Sequence, residues 1–248
     1  MSFFLMRAFF YSFGFLLFLS MSLLTVGQEK LRSSRGPASS SPVIVIGFVG
    51  GFVRHDDLVH SPVQLAMRLR EDYAAGVYVE VFENRRRENA HQKILQLLDA
   101  DHDGHLSTDE KQRARIIIYG VSWGASESIE LARELEKDGI PVLLTVQVDS
   151  VSKYHQNDAL IPTNVAEAAN FYQPDGLVHG CPEIHGVDPA HTRVIGNFRF
   201  SYDANPISCT KYPWYDRWLV KSHTEIECDP VVWKQVELLI RAKLPAMR

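Results

Sequence analysis

Three observations predict an α/β fold, a mainly parallel sheet with helices on both faces. Short apolar, β-rich runs recur along the chain, and segments with apolar residues at helical spacing separate them. Polar residues suited to chemistry stand just past the ends of these runs. Strands that alternate with helices are joined by crossovers, which makes them parallel and covers both faces of the sheet. With 248 residues and 46% hydrophobic content, the chain can bury one such domain.

Val43-Ile44-Val45-Ile46 reads as the first strand, followed by a loop at Gly47-Phe48-Val49-Gly50-Gly51. Val63 to Leu69 reads as a helix with Leu65, Ala66 and Leu69 on one face. Val77 to Phe82 alternates and is a strand, and Asn89 to Leu98 is a helix with Ile94, Leu97 and Leu98 inward. Arg115 to Tyr119 is a strand, and Ser126 to Lys137 is a helix closed by Asp138-Gly139. Val142 to Val148 is a strand with Asp149 at its end, and Asn164 to Phe171 reads as a short helix. A late strand, Arg193 to Phe200, precedes a final helix from Pro230 to Leu244, striped by Val232, Val236, Leu239 and Ile240.

The folded domain is expected at residues 42–248. Residues 1–27 read as a secretory signal, with one basic residue, a strongly apolar stretch from Ala8 to Val26, and small residues at Thr25 and Gly27. The alternative is an uncleaved anchor. Residues 28–41, rich in Ser, Arg, Gly and Pro, read as a flexible linker. The chain is therefore expected to be exported, secreted or periplasmic, with membrane contact only through an uncleaved N-terminal segment. A formal charge of -4 gives no electrostatic case for nucleic acid, and Arg85-Arg86-Arg87 reads as a solvated helix start. Of Cys181, Cys209 and Cys228, an oxidising compartment could pair two, with the choice left open. The oligomeric state is not legible.

The most informative motif is Gly120-Val121-Ser122-Trp123-Gly124, between a strand and a helix. A serine at such a sharp turn is lifted out of the backbone, and flanking glycines relieve the crowding. Asp149 and His223 follow in chain order, His223 lying just before the terminal helix. On these residues the chain resembles the α/β-hydrolase superfamily, most closely its lipase- and thioesterase-like branches, from Val43 to Leu244. The resemblance implies Ser122 as nucleophile, His223 as base and then acid, and Asp149 as the orienting carboxylate. Asp203 is the alternative acid, and His179, His185 and His191 are rival bases. The oxyanion donors are expected to be the backbone N–H groups of Trp123 and Phe48, although Ile46 stands where the superfamily usually has histidine. Tyr212, Trp214, Tyr215 and Trp218 could wall an acyl pocket, but packing under a loop is expected.

An inserted segment, Asp99 to Glu110, fits an EF-hand Ca²⁺ loop. Asp99, Asp101, Asp103, the His105 carbonyl, Ser107 and Glu110 supply oxygens, and Gly104 takes the sharp turn. The same residues also read as an acidic turn that caps the next helix through Ser107 and Glu110. A single such loop points to a structural ion. The expected function is an exported serine hydrolase of carboxylic esters or thioesters, acting on a small-molecule or lipid acyl ester. A calcium-binding hydrolase-fold protein without turnover and a serine peptidase are the alternatives.

Overall fold

A computed structural model describes residues 42–246, so the expected signal and linker lie outside the described residues. Strands β1 (Val43–Val49), β2 (Val77–Glu83), β3 (Arg115–Val121), β4 (Val142–Val148), β6 (Val165–Tyr172) and β8 (Arg193–Arg199) form one sheet in the order β2-β1-β3-β4-β6-β8. Every neighbouring pair in it is parallel. Two short strands, β5 (Leu160–Ile161) and β7 (His185–Gly186), pair separately.

Alternation along the strands sorts the core into two layers. Val45, Ile117, Tyr119 and Val146 point to one face, where α1 (Ser61–Asp72) and α7 (Pro230–Arg241) cover them with Leu65, Leu69, Val236 and Ile240. Ile44, Ile46, Ile116 and Ile118 point to the other, under α2 (Arg87–Leu98) and α4 (Trp123–Lys137). The order runs outward from β1 to β2, then crosses back to β3, which is why the covering helix changes face. The reversal opens a crevice between the C-terminal ends of β1 and β3, the place where such sheets receive ligands.

Two expectations about elements need correction. The segment read as a helix at 164–171 is strand β6, bonded to β4 on one side and β8 on the other. Its glutamate and alanines favour helix only weakly, and pairing on both edges overrides that preference. The loop expected from Gly47 starts later, because β1 continues through Val49. Gly47 serves packing inside the strand: a Cβ there would lie 2.5 Å from the Tyr119 ring on β3.

After β8 come two short helices, α5 (Trp214–Leu219) and α6 (Lys221–Cys228). Cys228, the last residue of α6, is disulfide-bonded to Cys209, and Cys181 is free. Closing a loop of this length removes chain entropy from the unfolded state worth about 3 kcal/mol. A Cys209→Ser/Cys228→Ser variant is therefore expected to lose about that much unfolding free energy in a urea titration. A loss near zero would show that the bridge constrains nothing.

Candidate active site

Ser122 sits between β3 and α4 with φ 56° and ψ -129°, a backbone region that residues with a Cβ rarely adopt. Such strain costs about 1–3 kcal/mol and persists only where the surroundings enforce it. Here the Ser122 N–H donates to Val148 O at 3.0 Å, and the Ser122 carbonyl accepts from Ala125 N at 3.0 Å. The hydroxyl-bearing residue stays half-exposed at the sheet edge.

Register places Asp149 beside it. Val121 pairs with Val148, so Ser122 and Asp149 leave adjacent strands at the same level. Asp149 is fully buried and has φ 44°, another strained strand end. Its carboxylate is held by four hydrogen bonds. Oδ1 accepts from Gln173 N at 3.0 Å and Gly180 N at 2.8 Å. Oδ2 accepts from Gln173 Nε2 at 2.8 Å and from His223 Nδ1 at 2.7 Å. The approach of Gly180 is close: a Cβ there would lie 2.5 Å from Asp149 Oδ1.

His223 is buried on α6, 74 residues from Asp149 in sequence. An ionised carboxylate only accepts, so Nδ1 carries the proton and Nε2 keeps its lone pair. Among the described residues His223 makes no hydrogen bond to Ser122 Oγ, a contact that often tightens only when substrate binds. Helix α6 is also anchored by the Cys209–Cys228 bridge and by His60, whose Nδ1 lies 2.7 Å from Glu227 Oε1. Glu227 is one turn beyond His223, and the Tyr212 ring packs edge-on against His60 at 5.1 Å. Burial opposes charge on His60, but the hydrogen bond and charge of Glu227 outweigh it, and its pKa is raised.

The rival residues stand elsewhere. Asp203 is exposed in the turn after β8, and His179, His185 and His191 are exposed on the segment between β6 and β8. His191 pairs with Asp188 at 2.7 Å.

The oxyanion donors divide. Trp123 is the first residue of α4, so its N–H has no helical carbonyl to bond. Phe48 does not lie in the loop. It is buried inside β1, in register with Phe82 on one side and Gly120 on the other, so its N–H belongs to the sheet. The backbone beside the serine is Gly50, where a Cβ would lie 2.8 Å from Ser122 Cβ.

A charged network braces this loop. Asn84 Nδ2 donates to Gly51 O, and Lys153 Nζ donates to Asn84 Oδ1 at 2.9 Å and to buried Glu127 on α4 at 2.7 Å. Arg87 pairs with the other Glu127 oxygen, and Lys153 lies 5.9 Å over the Trp123 ring. Sequence reading missed Asn84, Lys153, Glu127, Gln173 and Gly180, because none has a local signature and each acts across tens of residues.

The acidic segment joins α2 to α3 (Thr108–Gln112), at the opposite edge of the sheet from Ser122. Seven residues of β3 separate the two, roughly 23 Å. Carboxylate oxygens of Asp99, Asp101 and Asp103 lie within 4.8 Å of one another, and Gly104 has φ 83°. These hard oxygens and the left-handed glycine fit a calcium loop. Glu110 is engaged in a capping box: Oε2 accepts from Ser107 N at 2.9 Å and Ser107 Oγ at 2.7 Å, and Oε1 accepts from Ala100 N at 2.8 Å. The Ser107 hydroxyl and N–H, with Ala100 N–H, hold its carboxyl down at about 2. The capping turn is formed, and bidentate ligation of an ion would require Glu110 to turn from Ser107.

No family profile matches the chain, and no curated protein matches it. Among solved structures it is similar to RedJ, the thioesterase of the prodiginine biosynthetic pathway in Streptomyces coelicolor, at 11% identity and TM-score 0.40, covering 83% of this chain and 91% of that one. It is also similar to an alpha/beta-superfamily structure from Xanthomonas campestris pv. campestris, at 11% identity and TM-score 0.36, covering 81% and 99%. These likenesses concern the fold alone. The chain's own parallel sheet places Ser122 after β3, Asp149 after β4 and His223 after β8, the chain order that the resemblance to the α/β-hydrolase superfamily implies.

Proposed function

We propose that the chain is an exported serine hydrolase of carboxylic esters or thioesters that works through an acyl-enzyme. The observation that carries this reading is the buried Asp149–His223 pair delivered beside a strained, accessible serine. Ser122 Oγ attacks the acyl carbon as its proton passes to His223 Nε2. The oxyanion is met by Trp123 N–H and a donor from the loop at Gly50. His223 returns the proton to the departing alcohol or thiol, and water, deprotonated by the same nitrogen, then releases the acid. The disulfide supports export, because such bridges persist in oxidising compartments.

Labelling with a fluorophosphonate probe tests the reading. Folded protein is expected to be modified at Ser122 and nowhere else, and a folded chain that resists the probe would favour the variant without turnover. Aryl esters of graded chain length, set against aminoacyl amides, separate esterase from peptidase.

We also propose that Asp99, Asp101, Asp103, His105 O, Ser107 and Glu110 hold a structural Ca²⁺ that ties α2 to β3. At a hundredfold excess over Kd, such an ion adds about 2.7 kcal/mol, several degrees in Tm for a domain of this size. EDTA is expected to lower Tm by about that interval, with calcium restoring it. An unchanged melting curve would leave only the capping turn.

A further inference from the structure

Helix α5 is turned inside out. At about 100° per residue, Trp214, Tyr215, Trp218 and Leu219 share an arc of about 140°. A helix on a globular domain ordinarily directs such a stripe at the core. Here none of its six residues is buried, and Trp214 and Trp218 are 69% and 76% exposed. The half-buried residue is Asp216, whose carbonyl accepts from Thr224 Oγ1 on α6 at 3.0 Å. The aromatic run expected to pack under a loop does so only at Tyr212.

The parallel topology gives this face company. Phe52 follows β1, Tyr154 follows β4, Leu177 follows β6 and α5 follows β8, so all rise from the edge that carries Ser122. Phe52, Tyr154 and Leu177 are 86%, 89% and 96% exposed. Among the described residues, the large exposed aromatic side chains all belong to this edge. Phe52 packs edge-on against Trp123, next to the serine. Trp214, Arg217 and Trp218 line one shallow, open depression. Exposed Lys211 and Arg217 make no ion pair among the described residues, although the chain as a whole is acidic.

We propose that this edge docks on an anionic lipid surface, with Trp214 and Trp218 entering the headgroup region beside Arg217. The ester brought to Ser122 would then be lipid-borne; that clause rests on the ester-hydrolase reading, while the docking does not. Tryptophan and tyrosine suit the interface because one end is apolar and the other polar. Unpaired cations beside them meet anionic headgroups. A second protein fits less well, since a stable interface takes about 20 residues a side and this edge offers seven large exposed apolar side chains. The surface also goes beyond membrane contact through the N-terminal segment.

Sedimentation of the full chain with vesicles of phosphatidylglycerol and phosphatidylcholine tests this, with phosphatidylcholine alone as control. The chain is expected to pellet with the mixed vesicles, with tryptophan emission shifted to the blue. Trp214→Ala/Trp218→Ala should lower the partition at least tenfold. Lys211→Gln/Arg217→Gln should lower it by about fivefold per charge removed, which keeps the test decisive if the first variant fails to fold. Ser122→Ala should pellet like the parent. A parent that stays in the supernatant overturns the proposal. So does a tryptophan variant that pellets unchanged, which would assign binding to other residues, or self-association that this variant abolishes, which would assign the face to a second copy. Docking without ester hydrolysis would leave the lipid surface standing and remove the esterase reading; hydrolysis of soluble esters without docking would do the reverse.

Discussion

Asp149→Asn is expected to lower kcat for an aryl ester by about four orders of magnitude while leaving the fold intact. The carboxylate accepts on both oxygens, Oδ1 from two backbone N–H groups and Oδ2 from Gln173 Nε2 and His223 Nδ1. An amide keeps one acceptor. The backbone pair claims its oxygen, which leaves an NH₂ facing two donors. His223 can relieve the clash by moving its proton to Nε2, and that nitrogen then cannot take the proton of Ser122. The lesion is one of tautomer, so KM should change little, and a melting curve close to that of the parent should accompany the loss. Ser122→Ala should cost at least as much, and the double variant little more, because the groups act as a unit. If Asp149→Asn retained most of its activity while Asp203→Asn lost it, the assignment of the acid would be wrong.

That choice between Asp149 and Asp203 shows where sequence stops being informative. The elbow at Ser122 is local: strand, turn and helix follow one another within a few residues, and the glycines mark the crowding. The sheet was legible for the same reason, since each strand and helix carries its own periodicity. Of the partners of Asp149, His223 was named through the resemblance, but Gln173 and Gly180 were not legible, because they reach it through parallel register from 24 and 31 residues away. The oxyanion loop was misplaced because Gly47, a glycine that makes room for Tyr119, looks in sequence like a turn glycine. Likewise, the spacing of Trp214, Tyr215, Trp218 and Leu219 shows that they share a face, but not that the face looks outward.

Gly124→Ala is expected to damage folding first, and chemistry as a consequence. A Cβ on Gly124 would lie 2.5 Å from the carbonyl oxygen of Phe48 and 2.7 Å from that of Val49. Both are backbone atoms of β1, a strand paired on each side, so neither can swing away as a side-chain tip could. Relief requires α4 to back off the sheet, which opens the layer beneath Ile129 and Ala132. Overpacking of a close-packed interior typically costs 1–3 kcal/mol and occasionally more, and a contact with fixed backbone belongs at the upper end, about 3 kcal/mol. The elbow adds its own share, because α4 begins at Trp123 and any retreat of the helix also withdraws the Trp123 N–H from the serine. Urea unfolding of this variant should show a midpoint well below the parent's, and the residual folded fraction should label slowly with the fluorophosphonate. A variant as stable as the parent would mean that α4 stands farther from β1 than the close approach of Gly124 requires, and the glycine after the serine would then be explained by the turn alone.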